Sequence, residues 1–191
     1  MQTSREEIAR ERRRQIQVRK AFQAGLDTTG WAGADAARFY LSCADYLRWS
    51  MDRLHEQDQR IHDLLRERIP AAESEAHERL AVLGERQERS RALMRDFSAA
   101  AERLRAAGVG GIRAFEQAAR EFTATFNSLL QARKNPFFQH TDRLFRDADW
   151  SDIAGVTEQS LADEARLFGA VQASAPHGID PAAFTAEHKP G

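Results

Sequence analysis

The sequence predicts an all-α protein, an up-down-up-down antiparallel four-helix bundle with an extra N-terminal helix. Three observations lead there. Alanine, leucine, arginine and glutamate dominate the 191 residues, whereas there are only 5 valines. The 5 prolines, at Pro70, Pro136, Pro176, Pro181 and Pro190, leave 1–69 and 71–135 uninterrupted, and long proline-free runs of good helix formers favour long helices. Finally, Leu47, Met51, Leu54, Asp58, Ile61 and Leu65 are spaced 4, 3, 4, 3, 4, a heptad core stripe with an aspartate in its middle.

The first helix is predicted from about Arg5 to Ala24, with Ser4 and Glu7 as its capping box. Ile8, Ile16, Val18 and Phe22 make a poor stripe, so this helix is expected to pack loosely or on a partner, including a second copy of the chain. The second helix spans Asp35 to Arg68 and stops before Pro70. The third spans Ala71 to Ala107 with Leu80, Leu83, Gln87, Ser90, Met94, Phe97 and Leu104 facing inward. Gly108, Gly110 and Gly111 make the next turn. The fourth helix starts near Ile112 with Phe115, Phe122, Phe126 and Leu129 inward, restarts at Asn135-Pro136 and continues through His140 and Leu144. Trp150 to Val156 reads as a connector. Thr157 caps a fifth helix carrying Leu161, Phe168 and Val171. Short connections make neighbouring helices antiparallel. The domain reading is 1–33 for the basic N-terminal helix and loop, 34–173 for the bundle and 174–191 for a flexible tail.

Hydrophobic content of 42% suffices for a core, and a net charge of −1 points to neither nucleic acid nor an acidic substrate. Cys43 is the only cysteine, so no internal disulfide forms, which suits a reducing cytoplasm. No apolar run approaches the roughly 18 residues a membrane span needs, and Met1 to Lys20 lacks the apolar stretch of a secretory signal. The basic residues Arg10, Arg12, Arg13, Arg14, Arg19 and Lys20 are diluted by Glu6, Glu7 and Glu11 and carry no interleaved aromatics. They read as a solvated helix face rather than a nucleic-acid contact. Cys43, one turn from Phe39 and Leu47, reads as a buried thiol, and Tyr40 and Tyr46 as core-edge residues.

One constellation bears on chemistry. In an antiparallel hairpin, residues equally far from the turn lie at one height. A first turn near Pro70 sets His62 level with residue 78, beside His77. A second turn near Val109 sets His77 level with residue 141, beside His140. A last turn near Asp152 sets His140 level with Glu164. Asp58 and Glu73 precede His62 and His77 by one helical turn, and His55 lies a further turn along the second helix. One layer of the bundle is then expected to gather His62, His77, His140, Glu164 and Asp58, with His55 and Glu73 close by. Imidazoles and carboxylates converging from facing helices are what a bundle-core metal site needs. The other reading of the same stripe is a polar layer of Asp58, Gln87, Ser90 and Arg133 that only fixes helix register.

The stretch Leu54-His55-Glu56-Gln57-Asp58-Gln59-Arg60-Ile61-His62-Asp63-Leu64-Leu65 resembles the first ligand helix of hemerythrin-like proteins. Gln139 to Trp150, with Leu144-Phe145 and Asp149-Trp150, is similar to the end of a ligand helix there. The resemblance implies a non-haem iron centre, mono- or dinuclear, between four antiparallel helices, and a role in binding dioxygen, sensing oxygen or nitric oxide, or handling iron. Asp58 stands where the family places a histidine, so the resemblance implies a divergent member with a changed metal site or none.

Overall fold

A computed structural model describes residues 3–28, 30–131 and 137–184, without the side chains of 128–131. Every regular element among the described residues is helical. The elements are α1 (Ser4–Asp27), α2 (Ala34–Arg68), α3 (Ser74–Ala107), α4 (Ile112–Gln131), α5 (Phe138–Leu144), α6 (Asp147–Ala154) and α7 (Glu158–Ser174). Short 3₁₀ turns at Gly108–Gly111 and Pro181–Ala183 complete them.

Local chemistry sets the ends. Thr3, not Ser4, caps α1: its hydroxyl accepts from the Glu6 backbone N–H, while the Glu6 carboxylate accepts from the Thr3 N–H at 2.8 Å. Thr157 and Ser160 make the same reciprocal pair at the start of α7. α3 ends at Gly108, whose φ of 57° suits a residue without a Cβ. Asp149 caps α6 by accepting from the Arg146 backbone N–H at 2.7 Å, so most of the expected connector is a helix.

α2 packs on α1, α3 and α7, and α3 packs on α4. Residue pairings make α1 and α2, and α2 and α3, antiparallel. On α1 and α2, Glu11 meets Arg53 while Gly25 lies against Phe39. On α2 and α3, Gln59 meets Arg91 while Asp45 meets Arg105.

Two apolar clusters form. The larger gathers Phe22, Phe39, Tyr40, Leu47, Phe97, Phe115, Phe122 and Val171, with Phe97 stacked on Phe122 at 4.2 Å. The smaller gathers Ile8, Leu65, Ile69, Leu80, Phe137, Phe145 and Ile153. The heptad stripe of α2 runs through both, and the inward positions expected on α3 are buried or half-buried.

Several expectations are corrected. α1 does not pack loosely, because Val18, Ala21, Phe22 and Leu26 belong to the larger cluster and Ile8 to the smaller. Its stripe looks poor in sequence because its middle faces a polar layer. Tyr40 and Tyr46 are fully buried rather than at the core edge. Leu161, expected inward, is 39% exposed. The segment 175–184, expected as part of a loose tail, folds back on α1: Pro181 is buried, and Gln17 donates to the Ala182 carbonyl at 3.1 Å. Arg133, Asn135-Pro136 and the side chain of Leu129 lie outside the described residues.

Candidate functional site

A polar layer separates the two clusters. His55 is buried on α2, with Nε2 3.0 Å from the Ser90 hydroxyl of α3. Gln87 donates to the Asp58 carbonyl at 3.1 Å. From α1, Arg12 reaches the Asp58 carboxylate at 3.1 Å. Glu11 accepts from Arg53 and Gln57, each at 2.8 Å, and Arg53 also donates to the Ala154 carbonyl at 3.0 Å. Buried polar groups are tolerable only when so paired.

The His55–Ser90 and Asp58–Gln87 contacts centre the α2–α3 hairpin between residues 72 and 73. The expected centre was Pro70. Residues 70–73 form a turn closed by the Glu73 N–H on the Pro70 carbonyl, so α3 begins at Ser74 rather than Ala71. This small displacement moves the partner of His62 along α3 by more than one helical turn. A Cβ at Gly84 would sit 3.5 Å from His62 Nε2, whereas His77 lies on the first turn of α3.

The expected layer of seven residues is therefore corrected to separate pairings. His55 joins Ser90, and Asp58 joins Arg12. His62 has only its neighbour Asp63 at 3.4 Å as an ion-pair partner among the described residues. His140, on α5, meets Glu73 at 2.9 Å, and Arg143 meets the other Glu73 oxygen at 3.0 Å. The hydrogen bonds from His140 and then Arg143 hold the Glu73 carboxyl below its ordinary value. Glu164, on α7, lies buried with Arg10 at 3.7 Å and Arg14 at 4.0 Å. Arg14 also stacks over the Phe168 ring at 4.5 Å.

A metal ion needs several donors at about 2 Å. Among the described residues no group of three or more His, Cys, Asp and Glu side chains is placed to hold one. Guanidinium groups already neutralise Asp58 and Glu164. The described residues do not fit a metal centre.

Sequence reasoning missed the arginines of α1. The signal was present: two carboxylates in otherwise apolar stripes need counter-charges, and the run Arg10 to Arg14 is the densest cationic segment of the chain. Tyr46, expected at the core edge, lies beside Glu164. Burial and the neighbouring Glu164 carboxylate push its phenol pKa upward. Cys43 is a buried thiol, and burial raises its pKa well above the ordinary value.

On the outer side of the α2–α3 seam lies an open groove of about 810 Å³, with His55 and Met94 in its floor. Arg48, Asp52, Glu56 and Arg60 form a row along α2 at four-residue intervals, facing Arg91, Arg95 and Ser98 of α3.

Compared with protein-family models, curated proteins and solved structures, the chain matches none.

Proposed function

We propose that this chain is a metal-free helical interaction module in which a buried polar layer fixes how the helices meet. The observation that carries the reading is the arginine pairing of Asp58 and Glu164 from α1. Two carboxylates placed as metal ligands by pattern alone are given counter-charges by the protein's own helix. A buried polar layer of this kind serves register, because any slip of one helix leaves charges unpaired. The reading takes α1 to α4 as the up-down-up-down set, with α7 laid against α2, supported by the antiparallel pairings above. It extends to a cytoplasmic location, supported by a single cysteine kept as a buried thiol.

Partner contacts, or contacts with a second copy, fall on polar outer faces. The apolar residues of α1 are already used in the core, and what that helix turns outward includes the exposed Arg13.

Elemental analysis by mass spectrometry, on protein purified without a histidine tag, tests the reading. The expected result is no stoichiometric metal, before or after anaerobic reconstitution with ferrous iron. One or two iron or manganese atoms per chain, lost in a His62→Ala, His140→Ala double variant, would overturn it. That result would restore the hemerythrin-like reading, with dioxygen or nitric oxide as the ligand.

A further inference from the structure

The α2–α3 groove holds opposite charges that face each other without meeting. On α2, Asp52 and Glu56 are one turn apart, and both residues are exposed. On α3, Arg95 is exposed as well. No side chain of the three has an ion pair or hydrogen bond with another described residue, although the Arg48 charge acts on Asp52 from one turn away. The other groove arginines differ. Arg48 lies 3.9 Å from Glu102, Arg60 pairs with Asp152, and Arg91 binds Glu88 and Gln59.

Asp52 and Glu56 line the α2 side of the groove, and Arg95 and Ser98 line its α3 side. The groove is open to solvent along its length and has a volume of about 810 Å³. Its floor includes His55, which is buried and tied to Ser90 across the seam.

Two carboxylates on one wall favour an ammonium group. One uncommitted guanidinium on the other wall favours a carboxylate, which it can bind through two parallel N–H donors. We propose that the α2–α3 groove binds a small zwitterion of the amino-acid class, its ammonium between Asp52 and Glu56 and its carboxylate on Arg95 and Ser98. Partial desolvation in the groove wall raises the Asp52 pKa above its ordinary 3.8, with Arg48 opposing the shift and Glu56 adding to it. An ammonium ligand would relieve this. The inference goes beyond the metal-free reading and does not depend on it, because metal content and groove binding are read separately on aliquots of one preparation.

The test is isothermal titration calorimetry of the full chain with γ-aminobutyrate and ε-aminocaproate, which differ in charge separation, against butylamine and butyrate, which carry one charge each. At least one zwitterion is expected to bind about tenfold more tightly than either single-charge analogue, as one charged hydrogen-bonded contact contributes. Arg95→Gln is expected to abolish the preference over butylamine, and the Asp52→Asn, Glu56→Gln double variant the preference over butyrate. Arg13→Gln, on an exposed face of α1, leaves binding unchanged. All these positions are exposed, and thermal melts by circular dichroism confirm that each variant folds. Butylamine or butyrate binding as tightly as both zwitterions would overturn the proposal, as would the absence of binding by any of the four.

Discussion

Arg10 and Glu164 face each other across the α1–α7 contact, a guanidinium nitrogen 3.7 Å from a carboxylate oxygen that is almost wholly removed from water. Arg14 flanks the same carboxylate one turn along α1. Removing the carboxylate leaves two cations gathered at one spot with no counter-charge. Glu164→Ala is expected to cost about 3 kcal/mol in urea unfolding, the scale of breaking a buried pair. Glu164→Gln, which keeps the shape and an acceptor, is expected to cost less. A loss near zero for the alanine variant would mean the pair behaves as a surface contact.

The Arg68–Asp149 fork joins α2 to α6 through two hydrogen bonds at 2.6 and 2.8 Å. These bonds, with the Arg146 backbone N–H, hold the Asp149 carboxyl at about 2, down from the ordinary 3.8. A carboxyl whose pKa is lower in the folded chain adds stability above its unfolded value, and the addition is lost as pH falls through the folded value. The melting temperature of the native chain is therefore expected to fall between about pH 4 and pH 2 partly through this pair. Asp149→Asn should be less stable at neutral pH and flatter across that window. Parallel curves for the two proteins would remove Asp149 from the acid response.

Two glycines give a steric contrast on helices. A Cβ at Gly25 would come 2.5 Å from the Phe39 ring, in the tightly packed aromatic region of the larger cluster. A Cβ at Gly84 would meet only His62 Nε2, at 3.5 Å. Gly25→Ala is expected to destabilise by about 1–3 kcal/mol through overpacking. Gly84→Ala is expected to stabilise by about 0.4–1 kcal/mol, because it restricts the unfolded chain at no native cost. Chemical denaturation of both variants checks the difference, and two shifts of the same sign would contradict the packing.

The helices were legible because their signals are local. Proline at 70, glycine at 108 and threonine at 157 punctuate the chain where the structure does. The stripe of α2 reports its buried face directly. Heights across helices were not legible, because they accumulate error from each turn. Placing the first hairpin at Pro70 instead of between residues 72 and 73 was enough to set His62 beside the wrong residues. The contact between Glu73 and His140 was within reach of the pattern, since both were expected near one layer. Their companion Arg143 was not, because nothing in the spacing tells which of the exposed arginines reaches a carboxylate on another helix. The pairing of α1 with Asp58 and Glu164 required the tertiary fold itself.

Guanidinium groups make most of the ion pairs between helices among the described residues, and this divides the response to acid from the response to alkali. Arginine stays charged at any pH where the chain folds, so the acid response of such ties comes from carboxyls held below their ordinary values, as at Asp149 and Glu73. At the basic end different groups act. Burial pushes the Tyr40 and Tyr46 phenols up from 10.0 and the Cys43 thiol up from 9.0. These groups ionise in the unfolded chain while remaining neutral in the folded one, so stability declines as pH rises past those ordinary values. Acid undoes the seams between helices, whereas alkali attacks the larger cluster from within.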